Sequence, residues 1–290
     1  MSSTLSVQRL DATFGAEVHG LDLRSVDRPT AAVLRDMWVE HGLLVFPDQG
    51  LDRDEQDRLA RHFGELEFEA APITNVRADG SVRTSLDDDV VKSIRGNEGW
   101  HHDSTYMPVQ ARGAVVSAEL VPTSGGSTGF ADMRHAYAAL DDEDRATLEA
   151  HTAAHSLYWS MGRAGYLPTP RDDGSYAMYG YHDLETPRRP LVKVHPDTGE
   201  ANLNIGRHAH AVDGMVDDES LALLDRINAG AVADDRRVHF HEWNVGDVVI
   251  WDNRRLMHRA TPFDLAEPRR IWHTRIAGDP ATEAALNHAA

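Results

Sequence analysis

Cysteine is absent from this 290-residue chain. Its absence excludes disulfides, zinc–thiolate sites, iron–sulfur clusters and thiol nucleophiles, and it leaves His, Asp and Glu as the side chains able to hold a metal. Lysine is nearly absent as well: Lys92 and Lys193 stand alone, and 29 basic side chains face 47 acidic ones for a net charge of −18. With no basic stripe to offset that repulsion, neither a nucleic acid nor an anionic membrane suits the chain as a partner. No run of about eighteen apolar residues occurs, and residues 1–9 lack the apolar stretch of a signal peptide, so a cytoplasmic protein without a membrane span is expected. Internal repeats and low-complexity linkers are missing too, which makes residues 1–290 one domain.

What the chain does contain is a globular composition, 41% hydrophobic and 26% charged, with seventeen histidines. Residues 30–41 (TAAVLRDMWVEH) carry apolar side chains at helical spacing. They run into Gly42-Leu43-Leu44-Val45-Phe46-Pro47, which reads as a buried strand closed by proline. Asp52 with Glu55 three residues on makes a capping-box start for a second helix, and Gly64 supplies its stop. Beyond residue 100 the texture turns to β. Segments 113–120, 190–195, 201–205, 238–243 and 247–251 are short, β-branched or aromatic, and separated by turn signals, with Pro196-Asp197-Thr198-Gly199 as a hairpin turn. Helical patterns return only near 131–150 and 220–229. So few crossover helices predict a mainly β fold, an antiparallel sandwich or barrel flanked by N-terminal helices. Residues 157–189 fit no element, and their aromatics (Tyr158, Trp159, Tyr166, Tyr176, Tyr179 and Tyr181) favour an active-site lid over disorder.

Metal chemistry in this chain therefore rests on His and carboxylate at metal-ligand spacing. His101-His102-Asp103 has the form His-x-Asp, and on an extended segment residues i and i+2 point to one side, so His101 and Asp103 reach one ion while His102 faces away. The same form recurs at His195-Pro196-Asp197, but that Asp sits at a turn tip, where it hydrogen-bonds the local backbone. His151 and His155 stand one helical turn apart, and His208/His210 and His239/His241 lie at strand spacing; each pair reads as surface histidine. His258 follows the strand 247–251 and a turn. It would complete two histidines and one carboxylate on one face of an ion, a set that leaves three positions open and selects non-haem Fe(II) over a closed zinc site. Arg269 comes eleven residues later, and strand alternation puts Arg269, Ile271, His273 and Arg275 on one side. A guanidinium on the inner face of a barrel needs an anion, and a bound dicarboxylate would supply one.

The chain resembles the TauD/TfdA family of Fe(II)- and 2-oxoglutarate-dependent dioxygenases over nearly its whole length. The resemblance is carried by Gly20-Leu21-Asp22-Leu23, Leu44-Val45-Phe46-Pro47-Asp48-Gln49, Phe63-Gly64-Glu65-Leu66, Trp100-His101-His102-Asp103, Ser124-Gly125-Gly126-Ser127-Thr128, Gly246-Asp247 and Trp251-Asp252-Asn253-Arg254. It implies a double-stranded β-helix (a jelly-roll, cupin-like barrel), with iron on His101, Asp103 and His258. It further implies that Arg269 pairs with the distal carboxylate of 2-oxoglutarate and that Thr128 hydrogen-bonds it. The activity implied is O₂-dependent hydroxylation of an unactivated C–H bond in a small organic molecule, with succinate and CO₂ released, by a homo-oligomer, dimer or tetramer. Desaturation or cyclisation with the same cofactors, or a non-catalytic ligand-binding barrel, are the alternatives.

One position departs from the family. Four residues past the cosubstrate arginine, the taurine and phenoxyacetate enzymes place an arginine that grips the substrate's acidic group, and here that residue is His273. An imidazole lacks the bidentate fork of a guanidinium, so neither substrate follows from the resemblance. If the substrate is a carboxylate, Arg275 is one replacement, with Lys92, Arg95 and Tyr106 as further candidates for the substrate pocket. An ordinary surface arginine is the other reading of Arg275.

Overall fold

The computed structural model describes residues 5–176 and 179–288; Ala177 and Met178 of the expected lid lie outside them. Among the described residues the chain is mainly β with flanking helices, and no helix is long and apolar enough to cross a membrane. The strands are β1 Ser6–Arg9, β2 Ala16–His19, β3 Leu43–Phe46, β4 Leu66–Thr74, β5 Gly113–Leu120, β6 Thr128–Asp132, β7 Thr152–His155, β8 Arg188–Pro190, β9 Val192–Val194, β10 Ala201–Leu203, β11 Ala209–His210, β12 Val238–His241, β13 Val248–Asp252, β14 Leu256–Ala260 and β15 Arg270–Ile276. Seven of them form one sheet in the order β1-β2-β3-β13-β5-β15-β4, in which β2 and β3 run parallel. A second sheet has the order β12-β6-β14 and a third β11-β7-β8, while β9 and β10 pair across the 196–199 turn.

Alternation along the central strands decides the layering. Leu43 and Val45, Val116 and Ala118, Trp251 and Ile271 turn one way and pack with Phe130 of β6 and Leu256 of β14, which seats the three-stranded sheet against that face. Leu44, Phe46, Val115, Val248 and Ile250 turn the other way onto Leu34 and Trp38 of α1 (Arg28–His41) and Leu59 and Ala60 of α2 (Arg53–Arg61). Both faces of these strands are thus apolar, which is why Leu43–Phe46 reads as a continuous hydrophobic run.

Helix α1 starts where Asp27 accepts a hydrogen bond from the Thr30 N–H, and it ends at Gly42 in the left-handed region (φ +75). The capping box at Asp52 and Glu55 is present at the start of α2. That helix stops at Arg61, short of Gly64, because the His62 and Phe63 N–H groups bond back three residues to Leu59 and Ala60 and tighten the last turn. Gln56 and Asp57 tie α2 to the sheet: Gln56 Nε2 donates to the Val115 carbonyl and to Thr274 Oγ1, and Thr274 donates to Asp57.

Several expected elements come out differently. The helix expected near 131–150 is the end of β6 followed by two helices, Met133–Ala138 and Asp142–Ala150, each begun by its own capping aspartate, Asp132 and Asp141. Segment 190–195 is broken at Leu191, which bonds to His151 and Asn204 between β8 and β9. His151 caps a helix and His155 ends β7, so the two are not a helical pair. Residues 157–189 do begin with an element, the helix Leu157–Arg163 capped by Ser156, and they lead into β8.

Candidate active site

His101 and His258 are far apart in sequence, yet they face each other as an isolated antiparallel bridge: the His101 N–H donates to the His258 carbonyl at 3.0 Å and the His258 N–H returns the bond at 2.8 Å. Side chains of such a pair share a face, and the two imidazole centroids lie 4.2 Å apart. Asp103, two residues on, joins them before Ser104 turns the chain away at φ +56. One ligand atom from each of His101, Asp103 and His258 lies within 4.8 Å of the others, and no other such cluster occurs among the described residues.

The surroundings leave the correct atoms free. His101 Nδ1 is bonded to the Gly99 carbonyl at 2.8 Å, so its Nε2 is the atom presented. Asp103 Oδ1 accepts from Arg275 Nη2 at 2.8 Å, whereas Oδ2 is buried without a hydrogen-bond partner. His258 Nε2 stands 3.8 Å from that oxygen, too far for a hydrogen bond. An orphaned carboxylate oxygen facing imidazole nitrogens fits a cation, and the set suits a metal with open positions. Burial holds His101 and His258 well below the usual histidine range, in the neutral form that ligates metals. Burial would raise Asp103, but Arg275 and His273 outweigh it and hold the carboxyl below its ordinary value.

Asn253, a residue type outside the metal-ligand pattern of the sequence, fastens this segment. Its Oδ1 accepts the Asp103 N–H at 2.7 Å and its Nδ2 donates to the Asp103 and Ala111 carbonyls. His102 is buried outside the cluster, with Nδ1 against the Asn253 carbonyl. The second His-x-Asp match separates: His195 Nε2 meets Asp252 at 3.0 Å, while Asp197 pairs with Arg254 at 2.8 Å.

A cavity of about 110 Å³ opens on the three residues, and Arg269, Ile271, His273 and Arg275 all line it, as alternation requires. Phe130, Trp251 and Ile271 make its wall apolar. Arg269 is 5% exposed and its Nε and Nη2 both reach the Gly126 carbonyl, at 3.2 and 3.1 Å; no carboxylate among the described residues pairs with it. Burial pushes its guanidinium down to about 10. Gly126 has φ +70, and a Cβ there would stand 3.1 Å from Arg269 Nε, so the turn needs glycine for both conformation and space. Thr128 Oγ1 accepts from Trp243 Nε1 at 3.0 Å, which leaves its own proton free for an acceptor in the cavity.

A second cavity of about 190 Å³ adjoins the first and shares Tyr106, His273 and Arg275 with it. Phe68, Tyr179, Tyr181, Leu157 and Met161 complete an aromatic, apolar lining, two of its tyrosines coming from the 157–189 stretch. Arg275, 6% exposed, is no surface arginine: besides Asp103 it donates to Ser104 Oγ at 3.0 Å. His273, buried and beside Arg275, is held down at about 4 and is therefore neutral near pH 7. Lys92 pairs with Asp89 at 3.0 Å and Arg95 with Glu98 at 2.6 Å, and neither lines either of these two cavities. Glu67 receives hydrogen bonds from Ser104 and Tyr179, and burial raises its carboxyl. Arg207 lines the second cavity as well, and no motif around it in the sequence marks it for that place.

Comparison with known proteins places this site in context. The family model described as taurine catabolism dioxygenase TauD, TfdA family matches residues 6–277. A (S)-phenoxypropionate/alpha-ketoglutarate-dioxygenase of Sphingobium herbicidovorans is 53% identical over 289 residues, covering 99% of this chain and 100% of its own. One of Delftia acidovorans is 48% identical, covering 98% and 99%. The crystal structure of AAD-2 in complex with Mn(II) and N-oxalylglycine matches with a TM-score of 0.88 and 31% identity, over 98% of this chain and 99% of that one.

Proposed function

Because the chain belongs to the taurine catabolism dioxygenase TauD, TfdA family, and is accordingly a 2-oxoglutarate-dependent non-haem iron dioxygenase, we propose that it oxidises an aryloxy carboxylic acid of the 2-phenoxypropionate type. The observation that carries the reading is one cavity holding the His101, Asp103 and His258 cluster, an unpartnered Asp103 oxygen and, on its wall, a buried Arg269 without an acid. His101, Asp103 and His258 would hold the metal, and Arg269 and Thr128 the distal carboxylate of 2-oxoglutarate. Iron(II) with 2-oxoglutarate and O₂ supplies the oxidation of a C–H bond, with succinate and CO₂ as coproducts.

The protein's own residues do the positioning. Arg275 draws Asp103 Oδ1 aside and leaves Oδ2 for the metal, and Asn253 fixes the backbone that carries it. Trp243 holds Thr128 so that its hydroxyl donates into the cavity. Phe130, Trp251 and Ile271 exclude water, so each charge there acts in a low-dielectric setting. The aromatic cavity suits an aryl ring, with Tyr106, Tyr179 and Tyr181 around it and residues 157–189 as its lid. The two sheets that share one core support a double-stranded β-helix, a jelly roll built as a single domain. The net charge of −18 supports a reading without nucleic-acid or anionic-membrane partners, and we take the working form to be a homo-oligomer.

The test is turnover. Hydroxylation at the carbon bearing the ether oxygen gives a hemiketal that collapses to a phenol and a 2-oxo acid. Purified protein with Fe(II), ascorbate, 2-oxoglutarate and O₂ should therefore release phenol, pyruvate and succinate in equal amounts from 2-phenoxypropionate. Succinate formation that does not respond to either enantiomer would overturn the substrate assignment.

A further inference from the structure

The substrate reading above requires a cation for the acid group, and the family position for it is occupied by His273. We infer that Arg207, on the loop between β10 and β11, is the residue that binds the substrate's carboxylate, an inference that rests on the carboxylic-acid reading. Two cations line the aromatic cavity, Arg207 and Arg275. Arg275 is committed to Asp103 at 2.8 Å and to Ser104 at 3.0 Å. Among the described residues no carboxylate pairs with Arg207: its Nη2 meets Met161 Sδ at 2.8 Å, and its Nε is buried without a partner there.

The slot for this side chain is built. The Arg207 N–H donates to the Trp100 carbonyl at 2.8 Å, so its loop lies against the segment carrying His101. A Cβ on Gly99 would stand 2.9 Å from Arg207 Cδ, and one on Gly96 would stand 2.4 Å from Met161 Sδ and 3.3 Å from Arg207 Nη1. Neither glycine has a positive φ, so what they supply is room for the guanidinium and the methionine under it. Tyr106 and Tyr181 border the same space, and burial pulls the guanidinium down to about 10, with only the phenols of those two tyrosines acting against it. An uncompensated buried charge is costly, and it persists where a ligand supplies the counter-charge. A carboxylate on the Arg207 fork satisfies that charge, with the ring of the acid lying among Phe68, Tyr179 and Tyr181. A neutral analogue leaves it unsatisfied and is rejected.

The experiment compares wild type, Arg207→Met, Arg207→Gln and Arg207→Lys by calorimetric titration of metal-free protein with (S)-2-phenoxypropionate, other aryl carboxylic acids and the matching carboxamides. Thermal melts are run without ligand, and KM and kcat are measured on the iron-loaded enzyme. Wild type should prefer acid to amide, and Arg207→Met and Arg207→Gln should weaken acid binding by about 100-fold or more with little change for the amide. Their melting temperatures should not fall, KM for the acid should rise far more than kcat drops, and KM for 2-oxoglutarate should hold. Arg207→Lys, with charge but no fork, should fall between them. Equal loss of acid and amide, or a lower melting temperature with unchanged acid affinity, would make Arg207 a packing residue and overturn the inference. If phenoxypropionate fails but another acid binds and is lost on Arg207→Met, the substrate assignment falls and the role of Arg207 stands. Wild type binding no acid in preference to its amide overturns both.

Discussion

Replacing Arg269 by methionine separates the stability of the protein from its capacity to hold a dicarboxylate. Both bonding nitrogens of Arg269 share one carbonyl, that of Gly126, at 3.2 and 3.1 Å, and no acid among the described residues balances the charge. The ligand-free protein therefore loses on the order of 1–3 kcal/mol of hydrogen bonding, offset by relief from burying an unpaired cation, and its melting temperature should stay within about 5 °C of wild type. With 2-oxoglutarate bound the balance changes, because the distal carboxylate is left unpaired in a dry cavity. Truncating one partner of such a pair costs about 2–5 kcal/mol, roughly 30- to 5,000-fold in Kd. The assay is anaerobic titration of the Fe(II) protein with 2-oxoglutarate, followed by the visible charge-transfer absorption. A 2-oxo monoacid without the distal carboxylate serves as control and should bind wild type and variant alike. Unchanged affinity for 2-oxoglutarate, or an equal loss for the monoacid, would refute the pairing.

Arg275→Met should lower metal affinity by about 10- to 100-fold, because Asp103 loses the partner that aims it, while affinity for the aryl acid changes less than in Arg207→Met; Mn(II) titration measures it, and unchanged metal binding would remove Arg275 from that role. Thr128→Val should weaken 2-oxoglutarate binding by about 10- to 100-fold, the size of one hydrogen bond to a charge, and a change in acid-substrate affinity instead would reassign the hydroxyl. Burial alone would raise the Asp252 carboxyl, yet Arg254 and His195 hold it well below the ordinary range. Its stabilisation is complete above the unfolded-state value of about 4 and is lost as pH falls below it. Asp252→Asn should therefore flatten the loss of stability between about pH 4 and pH 2, read from urea midpoints, and an unchanged acid limb would clear Asp252.

Features set by a few neighbouring residues were legible in the sequence. The capping box at Asp52, the buried run Leu43–Phe46 and the shared side of His101 and Asp103 depend only on local dihedral preference and period. Alternation also placed Arg269, Ile271, His273 and Arg275 on one wall, although a register shift against β4 falls between His273 and Arg275. The wall survives because β15 keeps regular pairing with β5 from Ile271 to Ile276. In 131–150 and 157–189 the structure differs from the expectation because capping residues inside or just before the segments cut or start helices that a coarse hydrophobic period does not resolve.

The sequence by itself determined which side chains could ligate a metal or an anion, and, through motif, that His258 and Arg269 belong with His101 and Asp103. Only the tertiary structure decided how the cations are shared out. Arg275 goes to Asp103, from which 172 positions separate it; among the described residues Arg269 and Arg207 are left without acids in two adjoining cavities. Charge pairing and desolvation depend on what lies within a few ångströms in space, and distance along the chain carries almost no information about that.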